Sequence, residues 1–361
     1  MKMIKKICRA AREMSVLADL LYSLIAIIIA LLIGGLLIYL SGHNVKDAYY
    51  YLFFGAFGNS YNLAQTLLKT IPLIFTGLAV AVGFQSGLFN IGGEGQLYWG
   101  AFITAIAAIF LGFLPGIILI PLALLAGALA GGVWGAIPGY LRAKTGAHEV
   151  ITTIMLNYIG ILGTTFLLKR FFKAAGPVDQ TEFVPEASRL GELIPHTRLT
   201  TAIFIGIVVV IILDYLFKNT PLGYDIRAVG YNMSAAEYAG IPGEKIMVLT
   251  MALSGAVAGL TGSTIVLGVL HRFITNFSPG YGFTGIAVAV LGRNKPWGVL
   301  LAALLFGALE AGGMSMQLFA KIPSDLMTVV QGLVILFVAA PGFIRVIFRF
   351  IPDGEGAGQY E

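Results

Sequence analysis

A small set of polar side chains interrupts the apolar stretches of this sequence and marks where a polar solute could be bound or passed on. They are Asn90, Glu94, Gln96 and Asn157. Ionisable groups surrounded by apolar sequence are costly to bury and often functional, so Glu94 is a candidate gate or pathway residue. The alternative is a carboxylate satisfied by backbone N–H groups at the start of the third helix, in which Glu94 lies. Asn90 has two similar interpretations, because it either caps a broken helix or touches the solute.

Aromatic and acidic residues extend this set. Phe89, Tyr98 and Trp99 could stack a planar ring such as a nucleobase, although aromatic residues near a membrane boundary also serve as anchors. We include Phe89 with the four polar residues in the predicted substrate pathway. Glu310 lies within an apolar stretch and should face the interior of a helix bundle, whereas Asp214 should lie at an interface with water.

Several motifs of enzyme chemistry are missing from the sequence. It contains no G-x-x-x-x-G-K-[ST] loop for ATP phosphates, no H-E-x-x-H and no G-x-S-x-G nucleophile motif. The four histidines are scattered, and the single cysteine, Cys8, excludes a disulfide framework or a cysteine metal cluster. A membrane-embedded enzyme is therefore poorly supported.

The composition indicates a protein whose surface faces hydrocarbon. Hydrophobic residues make up 58% of the 361 positions and charged residues 11%, against about 25% charged residues in soluble domains. A span needs roughly 20 apolar residues, and we predict about ten of them. They are 20–40, 63–84, 97–114, 116–138, 149–168, 200–217, 247–269, 283–293, 298–317 and 325–347. The short 283–293 piece suggests a half-helix preceded by a re-entrant stretch.

The basic residues predict the orientation of these spans. Five of them precede the first span: Lys2, Lys5, Lys6, Arg9 and Arg12. Cytoplasmic loops carry an excess of Lys and Arg, so both termini are predicted to be cytoplasmic. The net charge of +5 is therefore explained by basic residues at the membrane surface and does not indicate nucleic-acid binding. A cleaved signal peptide is the alternative for the basic start, but the 20–40 run is too long for one.

The chain therefore divides into three predicted parts. These are a basic cytoplasmic N-terminus (1–19), a transmembrane domain (20–347) and a cytoplasmic tail (348–361). The transmembrane domain includes a long outer loop (169–199) and a long cytoplasmic segment (219–246).

Ten spans also divide into two halves of five, and an odd number per half inverts the second half. The first glycine segment, GLFNIGGEGQ (87–96), joins the second and third spans; the second glycine segment, SPGYGFTG (278–285), joins the seventh and eighth. Interrupted segments at matching places in inverted halves indicate a transport pathway. The alternative is that glycine is simply frequent in membrane helices. Small-residue stripes at 127–139 and 255–259 predict close helix packing within the chain more than a dimer interface.

The cytoplasmic segment 219–246 contains a short helical pattern. Asn232 or Ser234 could cap a helix that Gly240 stops and Pro242 prevents from resuming. Such a helix outside the membrane suits docking into a partner's groove, and an ordinary structured loop is the equal alternative.

Four stretches in order resemble the membrane permease of a type II ABC importer. They are GLFNIGGEGQLYWGA (87–101), GAHEVITTIMLNYI (146–159), IRAVGYNMSAAEYAGI (226–241) and GFTGIAVAVLGRNKPWG (282–298). The resemblance covers about 20–345 and includes permeases for ribose-like sugars, branched-chain amino acids and nucleosides. The 146–159 segment and the long outer loop look most like the nucleoside permeases.

This resemblance implies a multi-pass subunit of a bacterial inner membrane that works with several partners. A separate cytoplasmic ATPase would bind ATP and Mg, so no cofactor is expected in this chain. A second, related but different permease would complete the core, and an extracytoplasmic binding lipoprotein would dock on the outer loop. The implied coupling helix (234–240) would sit in a cleft of the ATPase, with Gly230 and Gly240 setting its turns and Arg227 and Glu237 making contacts at its rim. Six residues match the family's coupling motif. These are Arg227, Gly230, Ala235, Ala236, Glu237 and Gly240.

An ion-coupled secondary transporter is the alternative from another class. It would need membrane carboxylates arranged as an ion site, for which Glu94, Glu310 and Asp325 are the candidates.

Overall fold

The computed structural model describes residue 25 and residues 28–339, which form helices joined by short loops and one longer loop. The predicted N-terminal part (1–19) and the tail (348–361) lie outside the described residues. So do the N-terminal end of the first predicted span and the C-terminal end of the last. The helices are α1 (Ile28–Leu40), α2 (Val45–Phe57), α3 (Ser60–Gln85), α4 (Gly93–Phe110), α5 (Gly116–Thr145), α6 (Glu149–Leu167), α7 (Ala202–Asn219), α8 (Pro221–Tyr231), α9 (Met233–Tyr238), α10 (Gly243–Ile265), α11 (Tyr281–Leu291), α12 (Pro296–Phe319) and α13 (Ser324–Ala339).

Each predicted span overlaps one of these helices. Among the described residues, six helices are long and apolar enough to cross a membrane: α3, α5, α6, α7, α10 and α12, with α6 and α10 each extended by a π-helical turn. The prediction of an all-helical, multi-pass membrane protein is therefore confirmed. The predicted short piece is α11, with 11 residues, and an irregular stretch precedes it.

The sequence analysis missed α2. At 13 residues α2 is too short to span a membrane. Its apolar repeat is also masked by the aromatic residues between Ala48, Leu52 and Ala56. These three residues follow the helical i, i+4, i+8 spacing, and together with Gly55 they are the ones that α2 buries.

The described residues form two compact units, residue 25 and 28–53 with 313–339, and 54–312. In the first unit α1 packs closely on α13. A β-carbon added at Gly34 of α1 would lie only 2.7 Å from the side chain of Val330 in α13. Tyr51 also stacks on Phe319 with ring centroids 5.3 Å apart. Apart from Asp325, all the residues considered as sites below lie in the second unit.

The core of the second unit is built on backbone contact between helices. A β-carbon at Gly131 would lie 2.3 Å from the carbonyl oxygen of Gly255, and one at Gly259 would lie 2.4 Å from that of Gly127. On the other side of α10, a β-carbon at Gly100 would lie 2.3 Å from the Gly259 oxygen. Helix α10 is thus held between α4 and α5 with no room for side chains. The predicted role of the small-residue stripes, packing within the chain, is confirmed.

This contact makes a strong stability prediction. Gly255→Ala would place a methyl group 2.3 Å from the Gly131 oxygen, so we expect a loss of about 3 kcal/mol and a melting temperature lower by roughly 6–12 °C in detergent. Gly191→Ala is the matched control, because a β-carbon there would meet no atom within 4 Å. Equal melting temperatures for the two variants would contradict the packing described.

The arrangement of four helices is reciprocal. An irregular segment follows α3 and leads into α4, and another follows α10 and leads into α11. Helix α4 packs on α10, whereas α11 packs on α3, where a β-carbon at Gly285 would lie 2.6 Å from Thr76. Each irregular segment is therefore held by helices from both halves of the sequence.

Candidate functional site

The first glycine segment interrupts the helical structure between two buried helices, α3 and α4. Helix α3 ends at Gln85, and Gly87 adopts a left-handed conformation (φ +72°) that glycine tolerates. The Leu88 N–H then donates to the Gly83 carbonyl at 3.1 Å, which closes the end of the helix. Helix α4 begins at Gly93. The backbone between these helices is left to be satisfied by side chains.

Asn90 is the main side chain that satisfies it. Its amide nitrogen donates to Gln96 Oε1 (2.9 Å) and to Ser254 Oγ (2.7 Å), and its oxygen accepts from the Gly92 N–H (2.9 Å). The Ser254 hydroxyl donates to the Ala79 carbonyl at 2.5 Å. These side chains are fully buried. The network therefore fixes the shape of the segment, and the capping interpretation of Asn90 describes what it does here.

Asn157 holds the same segment from α6. Its oxygen accepts from the Gly95 N–H at 2.7 Å, and its nitrogen donates to the Ile91 carbonyl at 2.9 Å. An amide side chain can satisfy one donor and one acceptor of a broken helix at once. Asn157 thus replaces the hydrogen bonds that a continuous helix would have made.

Glu94 connects the two glycine segments. Its Oε2 accepts from the Gly282 N–H at 2.7 Å, in the first turn of α11, and Ser278 also bonds to the carboxylate. The backbones touch here, since a β-carbon at Gly282 would lie 2.3 Å from the Glu94 nitrogen. The predicted partner, the start of Glu94's own helix, is therefore wrong. The carboxylate binds the start of α11 because the glycines let that turn approach closely.

The aromatic candidates are engaged with other rings. Phe89 packs edge-on against Phe84 with centroids 4.7 Å apart, and Tyr98 lies 4.7 Å from Phe277. Trp99 stacks at 4.9 Å on the indole of α5, Trp134. Of the predicted pathway residues, Asn90 and Gln96 bond directly, Asn157 and Glu94 hold neighbouring backbone, and Phe89 lies at the entrance to the segment.

Sequence reasoning missed Ser254. It lies 164 positions from Asn90, in a helix that reads as a plain apolar span, and no local signal links the two. Other polar residues do show a partner. Glu310 faces Lys69 of α3 at 3.9 Å, as expected of an inward residue, and Asp214 pairs with Lys218 at 2.7 Å near the end of α7.

The described residues contain no group of three or more side chains placed to hold a metal ion. Glu94 and Glu310 each have a protein partner. Asp325 is exposed in the first turn of α13.

The segment 219–246, predicted to be cytoplasmic, forms two short helices. Thr220 caps α8 by accepting from the Gly223 N–H at 3.1 Å, and Asn232 caps α9 by accepting from the Ala235 N–H at 2.9 Å. Helix α9 ends where Gly240 adopts a left-handed conformation (φ +86°) and the Ile241 N–H donates to the Ala236 carbonyl. Of the two predicted caps, Asn232 and not Ser234 is the one that forms, and the predicted stop at Gly240 is confirmed.

Gly230 has a different place from the predicted one. It was expected to set a turn beside the short helix, but it lies in the last turn of α8. A β-carbon there would lie 2.3 Å from the Gln85 carbonyl, so α8 touches the end of α3 directly before the first glycine segment. The absence of a side chain serves this contact, and Asn232 makes the turn.

The exposed face of the segment combines two tyrosines that the sequence analysis did not select with two residues that it did. Tyr231 and Tyr238 are 90% and 96% exposed, and Ala235 and Glu237 are exposed beside them. Ala236 is buried. Arg227 is half-buried and donates to the Gly223 carbonyl at 3.2 Å.

The loop 169–199, predicted to lie on the outer side, is held in place by backbone pairing. Residues 180–190 run along the chain after α10, where the Thr181 N–H donates to the Phe273 carbonyl and the Val184 N–H to that of His271. Lys169 and Lys173 bond to Asp179 at 2.9 and 2.7 Å. Hydrogen bonds from Lys173 and Lys169 hold the pKa of Asp179 below its usual value. Burial and the nearby Arg189 charge lower the pKa of His271.

This shift predicts a pH dependence. Because the folded pKa of Asp179 lies below the ordinary 3.8, its contribution is complete above pH 3.8 and is lost as pH falls through the folded pKa. Asp179→Asn should therefore speed hydrogen exchange in residues 173–184 at pH 7, and the difference from the wild type should vanish at the lowest pH. Glu186→Gln is the control, since this exposed residue faces only Arg189 at 3.7 Å. A difference that persists at low pH would contradict the pairing.

Comparison with known proteins gives consistent relatives. The family described as the permease component of branched-chain amino acid transport systems matches residues 62–339. The chain is 38% identical to a guanosine ABC transporter permease protein of Bacillus subtilis, over 92% of this chain and 96% of the relative. It is 37% identical to a nucleoside ABC transporter permease protein of Lactococcus lactis, over 91% and 92%. It is 34% identical to a glucose ABC transporter permease protein of Haloferax volcanii, over 89% and 87%.

Each of these three organisms also holds a second permease of a matching transporter name, at 30%, 27% and 25% identity. No solved structure matches the chain.

Proposed function

The chain belongs to the family of permease components of branched-chain amino acid transport systems, and on this premise we propose that it carries nucleosides inward as the transmembrane subunit of an ABC importer. The observation that carries the proposal is the match over nearly the whole length to guanosine and nucleoside permeases. The paired glycine segments at the centre of the helices support the same function, because broken helices with polar contacts are where transporters handle their solute.

The proposed mechanism is alternating access, with the bond between Glu94 and Gly282 as the central closure. In the structure this bond joins the two glycine segments. Asn90, Gln96 and Asn157 hold the first segment rigid so that it can act as one side of the closure. Phe89 packs at its start. These residues are proposed to form the pathway by shaping it.

The proposed topology has ten spans in two inverted halves, with both termini in the cytoplasm of a bacterial inner membrane. The reciprocal packing of α4 on α10 and of α11 on α3 supports related halves. The basic residues before the first span and in the loops predicted to be cytoplasmic support the orientation. We keep 1–19, 20–347 and 348–361 as the proposed cytoplasmic, transmembrane and tail parts.

ATP hydrolysis is proposed to occur on a separate subunit, which would bind ATP and Mg. The sequence lacks a phosphate-binding loop, and the segment 219–246 presents an exposed helix with two protruding tyrosines. Tyrosine is enriched among residues that dominate binding energy at interfaces. We propose that Tyr231, Tyr238 and Glu237 contact the ATPase, that Arg227, Ala235 and Ala236 support this face, and that Gly230 and Gly240 shape it.

Two further partners follow from the same proposal. The presence of two permeases with matching names in each organism supports a second, related permease beside this one. The ordered outer loop, with exposed Phe183 and several basic residues, is proposed to receive an extracytoplasmic binding lipoprotein.

The test is uptake of radiolabelled guanosine into proteoliposomes that contain the permeases and the ATPase, with the binding lipoprotein outside. We expect accumulation that requires ATP inside. Uptake that proceeds without the ATPase would refute the proposal and favour an ion-coupled carrier.

A sugar is the second candidate substrate, because the glucose permease relative is nearly as similar. Competition separates the two: an excess of unlabelled adenosine should suppress guanosine uptake, whereas an excess of glucose should leave it unchanged. The reverse result would replace nucleosides by sugars and keep the importer.

A further inference from the structure

The loop 169–199 is paired with the stretch 271–275, which leads into the second glycine segment. The hydrogen bonds from N–H to carbonyl between the two are Thr275 to Asp179 (3.1 Å), Thr181 to Phe273 (2.9 Å) and Val184 to His271 (2.8 Å). They make a short antiparallel pairing, of the kind that joins two strands of a sheet. The path of the stretch is therefore set by the loop.

Thr181 bonds to this stretch through both of its polar groups. In addition to its N–H, its hydroxyl oxygen accepts from the Phe273 N–H at 3.1 Å. Thr181 and Phe273 are 1% and 0% exposed. A buried N–H needs an acceptor, and here a side chain of the loop provides it. Thr181 thus fixes the backbone on both sides of the Phe273 peptide unit.

Phe273 carries the contact onward to the helix that holds Glu94. Its ring packs edge-on against Phe102 and Phe277, with centroids 5.4 and 5.8 Å away. Phe277 in turn lies 4.7 Å from Tyr98, which is one turn after Glu94 in α4 and therefore on the same face. The stretch is held between the loop on one side and α4 on the other.

The central closure begins directly after this ring cluster. The Ser278 hydroxyl accepts from the Gly280 and Tyr281 N–H groups, both at 3.2 Å, which sets the start of α11. Ser278 also bonds to the Glu94 carboxylate, and the Gly282 N–H donates to it at 2.7 Å. A displacement of the stretch therefore reaches the closure within a few residues.

The first glycine segment is anchored at the other end of α10. A β-carbon added at Gly230 of α8 would overlap the Gln85 carbonyl, and one at Gly87 would lie 3.5 Å from the Gly230 oxygen. This contact belongs to the segment 219–246, on which the ATPase is proposed to dock. Each glycine segment is thus held by one of the two surfaces to which a partner is assigned.

We propose that Thr181 is a positioning residue for the central closure, because it ties the loop that receives the binding lipoprotein to the stretch that places Gly282 against Glu94. The inference rests on the function proposed above. Docking of the loaded lipoprotein moves the loop and the stretch as one unit and draws the start of α11 away from Glu94. The closure then opens toward the side on which the solute arrives.

The first test is Thr181→Val in the complete importer in proteoliposomes. Valine resembles threonine in shape but offers no acceptor, so the Phe273 N–H loses its partner. We expect stimulation of ATP hydrolysis by guanosine-loaded binding lipoprotein to fall about five- to tenfold, the effect of one buried hydrogen bond. Hydrolysis without the lipoprotein should be unchanged. The Kd of the lipoprotein for the complex should also be unchanged, because Thr181 is buried beneath the surface of the loop.

Two matched variants accompany this one. Thr181→Ser keeps the hydroxyl and should restore the stimulation. Thr200→Val makes the same change at another threonine that is 1% exposed, whose hydroxyl has no hydrogen-bond partner among the described residues, and should behave as the wild type. Full stimulation in Thr181→Val, or a loss accounted for by weaker lipoprotein binding, would overturn the inference.

A disulfide tests the pairing without removing any of its bonds. Gln180 and Ile274 lie opposite each other between two backbone hydrogen bonds. Cα atoms in such a pair are about 4.5 Å apart, which is within the range of a disulfide. Gln180→Cys with Ile274→Cys, in a Cys8→Ser background, is compared before and after reduction in the same sample.

If the loop and the stretch move as one unit, the disulfide should leave guanosine uptake unchanged. Uptake that is blocked until the bond is reduced would show that the pairing must open, and would overturn the inference. Either contrary result, obtained with normal guanosine import by the wild type, leaves the proposed function standing. ATP hydrolysis by the wild-type complex without any guanosine import would instead reject the proposed function.

Discussion

Replacing Glu94 by alanine is expected to lower ATP-driven guanosine uptake at least tenfold while the importer still assembles in the membrane. The carboxylate accepts from the Gly282 N–H at 2.7 Å and is almost completely buried. Its loss leaves that N–H unpaired at a cost of about 1–3 kcal/mol, and each 1.4 kcal/mol corresponds to about a factor of ten. The two glycine segments would then lose the hydrogen bond that the Gly282 N–H donates to Glu94, which fixes the distance between them. Uptake in proteoliposomes, normalised to assembled complex, measures the effect.

Two control variants separate the hydrogen bond from the charge and from general damage. Glu94→Gln keeps an oxygen that can accept from Gly282, so we expect it to restore most of the uptake lost in Glu94→Ala. Asp214→Ala breaks only an i, i+4 pair with Lys218, worth about 0.3–0.5 kcal/mol, and should transport normally. If Glu94→Gln is as impaired as Glu94→Ala, the hydrogen bond is not what Glu94 contributes.

Replacing Gly240 by valine is expected to uncouple transport from ATP hydrolysis. Gly240 has φ +86°, where a β-branched residue is strongly disfavoured, by about 1–3 kcal/mol. A β-carbon there would meet no atom within 4 Å, so the backbone conformation alone is disturbed. The end of α9 should unwind, and stimulation of the ATPase by loaded binding lipoprotein should fall about tenfold with the permease still in the membrane.

The matched variant is Gly240→Asn. Asparagine adopts left-handed conformations more readily than other side chains, so it should retain most of the stimulation. Normal stimulation in Gly240→Val would show that α9 does not couple to the ATPase. Impairment equal to that of Gly240→Val in Gly240→Asn would show that the side chain and not the backbone conformation matters.

Much of the fold was predictable because apolar length and glycine position act locally. Runs of apolar residues located the long helices, and the shortness of α11 was visible in the sequence. The cap at Asn232 and the stop at Gly240 follow from residue chemistry within one turn. Helix α2 was missed because it is short and because three of its four buried positions are alanine or glycine, whereas most of its exposed positions are aromatic. This reverses the usual contrast between the core and a water-soluble surface.

The site was predictable only in part, for the same reason. Asn90 and Gln96 are close in sequence and bond directly. The partner of Glu94 lies 188 positions away, and that distance in sequence is bridged by a packing of halves that no local pattern encodes. Gly230 illustrates the limit: its position next to a short helix suggested a turn, but the contact it permits is with the end of α3.

The glycine contacts of α10 have a mechanical consequence. Because no β-carbon fits between α10 and its neighbours α4 and α5, a shift of even one 1.5 Å helical rise would drive carbonyls into facing backbone. These three helices therefore cannot slide along one another without disrupting their packing. A β-carbon at Gly206 of α7 would meet side-chain atoms of α3, whereas one at Gly223 of α8 would lie 2.0 Å from the Leu216 carbonyl oxygen in the last turn of α7. Helix α7 is therefore held to α8 by backbone contact and to α3 by side-chain contact near Gly206, which leaves α7 better able to move than α4, α5 or α10.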